Sequence, residues 1–200
     1  MHRAVEAIRF ANHETSPYIR ILNIQLKESW QGTFAMQISK GVEWAAHACA
    51  VLAPLWPDRG LSLAALAEFH GVPAPYMAKQ MQALAQAGIV KGGRGRSGFY
   101  ALAKAPAEIT LLDILKAIDG NEPMFRCTEI RQNGPCGSKP EDCRLPCSIA
   151  AGFARAEAAY RDSLARVDLM TLNRSVAAQL GPQKIMSAGA WVAENLRSRQ

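Results

Sequence analysis

The stretch from Ser62 to Leu102 leaves little choice of architecture. Ser62 is placed to cap a short helix over Leu63–Phe69, with Leu63, Leu66 and Ala67 on one face. Gly71-Val72-Pro73 predicts a tight turn, because glycine takes a positive φ freely and proline suits the first turn of a following helix. That second helix reads from Pro75 to Ala87 through Met77, Met81, Leu84 and Ala85, with Gly88 placed to cap its C-terminus. Ile89-Val90 and Phe99-Tyr100-Ala101-Leu102 then predict two strands joined by a tip rich in glycine and arginine. Helix, short turn, helix and hairpin in that order make a winged helix-turn-helix. In that arrangement the second helix enters a major groove and the hairpin lies along adjacent backbone or minor groove.

The rest of the chain builds around this unit. From Ser39 to Leu55, Val42, Ala45, Ala46, Cys49, Leu52 and Ala53 recur at helical steps, with Ser39 as N-cap and Pro54 and Pro57 ending the run. Thr110 caps a further helix through Leu111, Leu112, Ile114, Leu115 and Ile118, closed by Gly120. A long helix is expected from Ser148 to Leu172, with Ile149, Phe153, Ala156, Tyr160, Leu164 and Val167 on one stripe. Such a stripe predicts a helix that packs against its twin in a homodimer.

The fold class is therefore mainly α with a small β-hairpin wing: a winged helix-turn-helix plus a long dimerisation helix. Residues 1–35 read as an N-terminal extension, either disordered or an artefact of start-site choice. Residues 36–105 form the DNA-binding domain, 106–147 a linking helix and a cysteine-rich loop, 148–172 the dimerisation helix and 173–200 a tail, irregular until Ala190–Leu196.

Composition excludes some classes and favours one partner. At 49% hydrophobic and 20% charged residues the chain is neither disordered nor fibrous, and no apolar run approaches the ~18 residues of a membrane span. The start at Met1-His2-Arg3 lacks a secretory apolar stretch, so a cytoplasmic location is expected. Net charge is +6, and Lys91, Arg94, Arg96 and Lys104 fall in a stretch without an acidic residue. Gly92, Gly93, Gly95 and Gly98 there let the backbone approach phosphates closely. Arg94 and Arg96 on the wing, with Tyr76, Lys79 and Gln80 near the start of the second helix, are the predicted contacts to double-stranded DNA. No serine–histidine–aspartate set, phosphate-cradling loop or HExxH motif is present, so no catalysis is expected.

Four of the five cysteines, Cys127, Cys136, Cys143 and Cys147, fall within 21 residues of a loop rich in glycine, proline and charge. In a reducing compartment such clustering reads as metal or redox chemistry rather than as disulfides. The spacing is neither a zinc ribbon nor a common ferredoxin run, and soft thiolates select iron–sulfur clusters, zinc or Cu(I). Structural zinc held by the four thiols is one alternative. A thiol–disulfide enzyme using Cys143 and Cys147 is another, but it lacks a CxxC motif and a βαβ scaffold. Glu43 and His47, four residues apart, share a face of the first helix.

Met36-Gln37-Ile38-Ser39-Lys40-Gly41-Val42-Glu43-Trp44-Ala45 resembles the start of the Rrf2 family of bacterial transcription regulators. Leu63–Ala67, Tyr76–Met81, Leu84–Val90 and Arg94–Tyr100 resemble that family's helix-turn-helix and wing, and Ile109–Ile114 its next helix. The likeness covers residues 36–172. It implies a homodimeric regulator, expected to be a repressor, whose affinity for a palindromic operator follows an iron–sulfur cluster sensing redox state, nitric oxide or iron. Gly41-Val42-Glu43-Trp44-Ala45-Ala46-His47 is similar to a subgroup in which a first-helix Glu and His help hold a [2Fe–2S] cluster with two cysteines of the other subunit. The resemblance thus implies Glu43 and His47 as ligands with Cys143 and Cys147, leaving Cys127 and Cys136 auxiliary or alternative. Sensors of this family commonly carry three cysteines with shorter gaps, whereas four stand here.

Overall fold

The computed structural model describes residues 38–92 and 98–198. The N-terminal extension lies outside the described residues. Helix α1 spans Lys40–Leu52 and starts where the serine predicts: Ser39 Oγ accepts from the Val42 N–H at 3.3 Å. Its buried face is Val42, Ala45, Ala48, Cys49 and Leu52, and Pro54 turns the chain into a 3-10 segment over Ala53–Leu55. Strand β1 (Arg59–Leu61) follows, then α2 (Leu63–His70), capped by Ser62 Oγ on the Ala65 N–H at 3.1 Å. Gly71 ends α2 in the left-handed region at φ 61°, and α3 (Ala74–Gln86) begins three residues later.

Strands β2 (Val90–Gly92) and β3 (Tyr100–Leu102) form the hairpin, with Val90 opposite Leu102 and Gly92 opposite Tyr100. Helix α4 (Leu111–Asp119) carries a reciprocal cap, since Asp113 Oδ2 accepts from the Thr110 N–H at 2.9 Å while Thr110 Oγ1 accepts from the Asp113 N–H at 3.2 Å. Leu52, Leu61, Leu66, Met77, Met81, Leu84, Leu102, Ile109 and Ile114 are sealed in the core that these elements enclose. Helix α1 comes close to α3 and α4 at Gly41, where a Cβ would meet Gln80 Oε1 at 3.0 Å and Ile118 Cγ2 at 3.1 Å. The expected winged helix-turn-helix is present.

The C-terminal third departs from expectation in three ways. Helix α5 covers Ser148–Ala165 and does not run on to Leu172. The backbone leaves the helix at Arg166 because Val167 and Leu169 instead bond across to Leu111 and Ile109, each at 2.9 Å. Asp168 then caps a new helix, α6 (Leu169–Gln179), by accepting from the Thr171 N–H at 2.8 Å. The tail, expected to be irregular, is helical over α7 (Pro182–Asn195) and ends in strand β4 (Leu196–Ser198). Leu169 of α6 is fully buried in the core, and Trp191 of α7 packs on Phe69 of α2 with ring centroids 5.2 Å apart.

The sheet therefore has four antiparallel strands in the order β2-β3-β1-β4, with Leu61 opposite both Tyr100 and Leu196. Among the described residues no helix is long and apolar enough to cross a membrane.

Candidate nucleic-acid interface and metal centre

The outer face of α3 carries two of the three predicted DNA contacts. Tyr76 is 58% exposed and Lys79 is exposed one turn further on. Gln80 is a correction: it is only 6% exposed and faces α1 and α4, with Nε2 donating to the Tyr76 carbonyl at 3.4 Å. So placed, it lies on the stripe of α3 that packs inward and not on the face that Tyr76 and Lys79 share. Its position explains the inversion, because Met77, Gln80, Met81 and Leu84 form one i, i+3, i+4, i+7 stripe, the buried face of α3. Arg94 and Arg96 lie outside the described residues. At the root of the wing Lys91 Nζ stands 3.7 Å from Asp58 Oδ1, so its charge is partly matched by an acid distant in sequence.

Helix α1 touches the recognition helix through Trp44, whose ring meets that of Tyr76 edge-on at 5.9 Å. Glu43 and His47 flank Trp44 and are exposed. His47 lies beside His70, the last residue of α2, with ring centroids 5.6 Å apart. Burial pushes His70 below the ordinary imidazole range, as does the neighbouring His47, while the His47 backbone partly offsets both.

The cysteine segment is built from turns, with short 3-10 pieces over Ile130–Gln132 and Pro140–Asp142. Cys147 is its best-defined thiol. It forms the N-cap of α5 and is buried, and backbone N–H groups of Ala150 and Ile149 hold its pKa below the usual thiol value. Cys143 is half-buried. Arg131 is the local cation: it pairs with Glu129 at 2.7 Å, donates to the Leu145 carbonyl at 3.1 Å, and lies near enough to Cys143 and Cys147 for their charges to act on it. Cys127 is exposed and its Sγ donates to Glu129 Oε1 at 3.3 Å, while Cys136 is exposed in a turn.

Sequence reasoning missed Arg131 and His70, since one charged residue in a charged loop and one histidine at a helix end carry no pattern. The fifth thiol, Cys49, is core packing: fully buried in α1, it is pushed up to about 12.

The donor chemistry suits a soft or borderline metal group. Among the described residues no three of His, Cys, Asp and Glu converge closely enough to hold a metal ion. The segment's scaffold is nonetheless ordered from α5. Arg161 bonds Glu157 Oε1 at 2.8 Å, Asn121 Oδ1 at 2.8 Å and the Glu122 carbonyl at 3.0 Å, and Glu157 accepts from the Met124 N–H at 3.0 Å. Phe125 stacks on Phe153 of α5 at 4.5 Å.

A two-helix reader with its wing, capped by a helical scaffold, defines a transcription regulator of the winged helix-turn-helix class. The chain belongs to the Rrf2 family, described as an iron-dependent transcriptional regulator, which matches residues 38–175. Over 122 residues it is 30% identical to the HTH-type transcriptional regulator rrf2-like of Rhodobacter capsulatus, covering 60% of this chain and 77% of that one. Over 66 residues it is 46% identical to the HTH-type regulator slr0846 of Synechocystis, covering 32% of this chain and 45% of that relative. The fold is similar to T. potens IscR, with a TM-score of 0.56 at 20% identity, covering 78% of this chain and 99% of that one. It is also similar to CymR of B. subtilis, the global cysteine regulator, with a TM-score of 0.54 at 23% identity over 70% of this chain and 98% of that one. These relatives are regulators and not enzymes.

Proposed function

We propose that the protein is a homodimeric repressor that binds a palindromic operator, with an affinity set by a [2Fe–2S] cluster held between its subunits. The observation that carries this reading is α5, an 18-residue helix with no buried residue in the single chain. Leu145, Ile149 and Phe153 are 78%, 66% and 52% exposed at its start, beside the two thiols. A second copy laid along α5 covers those side chains and brings donors of one chain to the loop of the other.

Cys143 and Cys147 from one subunit, with Glu43 and His47 from the other, are the ligands. Cys147 at a helix N-terminus is suited to the thiolate form, and Glu43 and His47 present a carboxylate and an imidazole from one face of α1. Cys127 and Cys136 remain auxiliary thiols. The cluster supplies a charge that changes with one-electron reduction, nitrosylation or loss, whichever of redox state, nitric oxide or iron is the signal. The chain's own part is geometric. Glu43 and His47 bracket Trp44, and Trp44 rests on Tyr76, so the set of α1 is felt at the recognition helix. Two-fold operators demand half-sites about one helical turn apart, so a small change in helix spacing alters affinity.

Tyr76 and Lys79 contact DNA from α3, and Arg94 and Arg96 from the wing. A salt titration of operator binding tests both halves of the reading. The cluster-loaded and stripped proteins are expected to differ by about 5- to 150-fold in affinity, the ordinary range of allosteric coupling. Lys79→Ala and Arg94→Ala are each expected to lower the salt slope by roughly one in both forms. Equal affinity of the two forms removes the sensor, and unchanged slopes remove these side chains from the interface.

A further inference from the structure

His70 is the last residue of α2, next to Gly71, at the junction of the two helices that make the DNA-binding motif. Its ring lies 5.6 Å from that of His47, tilted by 56°. Its Nε2 is buried and has no hydrogen-bond partner. Phe69 meets the ring edge-on at 5.0 Å and in turn packs on Trp191, and the His47 backbone is the other polar group close to it. A buried ring nitrogen left without a partner is costly enough to call for an explanation, and the nearest polar ring is His47. A histidine that ligates a metal through one nitrogen donates the other N–H to an acceptor, which fixes the ring and its tautomer.

We propose that His70 is that acceptor: its Nε2 takes the free ring N–H of His47 when His47 serves as a cluster ligand. His70 is thus a positioning residue. It holds a ligand of α1 from the point where α2 turns, through Gly71-Val72-Pro73, into the recognition helix. The inference rests on the reading of His47 as a ligand.

The test compares His70→Phe, which keeps a ring against Phe69 but has no acceptor, with His70→Gln, which keeps one. The full-length protein is reconstituted with iron and sulfide without oxygen, and cluster loss to a chelator is timed by visible absorbance. His70→Phe is expected to lose the cluster about 10- to 100-fold faster than wild type, the usual effect of removing a partner behind a metal ligand. His70→Gln is expected to stay close to wild type. In a His47→Cys background, where the ligand has no N–H to donate, His70→Phe is expected to add nothing. Thermal unfolding of the stripped proteins separates positioning from general loosening, and His70→Phe is expected to melt with stripped wild type. His70→Leu repeats the comparison should the phenylalanine variant fail to fold.

Cluster loss at the wild-type rate in His70→Phe overturns the proposal, as does an undiminished effect in the His47→Cys background. If the wild-type protein takes up no cluster at all, the failure lies in the ligand reading, and this inference falls with it.

Discussion

A dimer made of one Cys143→Ser/Cys147→Ser subunit and one Glu43→Ala/His47→Ala subunit is expected to hold one cluster, although each parent homodimer holds none. The reasoning is positional. Among the described residues, no three candidate donors converge within the chain, and the two pairs stand on different elements: Cys143 at the end of the Pro140–Asp142 segment and Cys147 at the N-cap of α5, Glu43 and His47 on the exposed face of α1. If the ligands pair across the interface, a mixed dimer has one site with all four donors missing and one site intact. If they pair within a chain, both sites are broken. Iron and sulfide counted on separately tagged, co-purified mixed dimers give the answer. One cluster per dimer supports ligation between subunits, and none places all four ligands in one chain. Cluster retained by the Cys143→Ser/Cys147→Ser parent brings Cys127 and Cys136 in as ligands. The effect is all or nothing, which makes it insensitive to modest losses in stability.

The second large effect is on folding. Gly60, in the middle of β1, faces the backbone of β3 so closely that a Cβ would run into the Tyr100 carbonyl and lie 2.9 Å from Phe99 Cδ2. Backbone cannot swing aside as a flexible side chain does, so Gly60→Ala must part β1 from β3. It is expected to cost about 3 kcal/mol, the upper end for forced overpacking, from a total stability of roughly 5–15 kcal/mol. Because β1 lies between β3 of the wing and β4 of the C-terminal segment, its displacement loosens both. Gly92→Ala is the control: it lies in the same sheet with nothing within 4 Å of its added carbon, so a change within about 0.5 kcal/mol is expected. Urea unfolding of the two variants settles the matter. Equal midpoints would mean that the β1–β3 approach is less tight than described.

These two results draw on different parts of what the chain reveals of itself. The helix starts were legible because capping is local chemistry: Ser39, Ser62 and Thr110 each accept the N–H three residues on. The hairpin was legible from its glycine-rich tip. Strands β1 and β4 were not, since Arg59-Gly60-Leu61 and Leu196-Arg197-Ser198 are three residues each, without alternation, and exist only through pairing at long range, β1 with β3 and β4 with β1 across 130 residues and more. Helix α6 was hidden inside an apolar stripe that continued through Val167, and only the bridge from Thr110 to Asp168 breaks it.

At the site, Glu43, His47, Cys143 and Cys147 were legible as residue types, and their surroundings were not. That Cys147 is the N-cap residue of α5, that Arg131 stands by two thiols and that His70 lies beside His47 are facts of three-dimensional neighbourhood. Gln80 shows the opposite failure. Its spacing from Met77, Met81 and Leu84 already placed it on the buried stripe, but its nearness to the start of the recognition helix drew it into the DNA-contact set.

The central claim, a [2Fe–2S] cluster as the resident group of this regulator, is tested most directly by purifying the full-length protein without oxygen. The visible spectrum is recorded and iron, sulfide and zinc are quantified. The account predicts a coloured protein absorbing between about 400 and 500 nm, with iron and sulfide in equal amounts and each near two per cluster site. A colourless protein carrying stoichiometric zinc would contradict it, as would one that holds no metal and takes up no cluster on reconstitution.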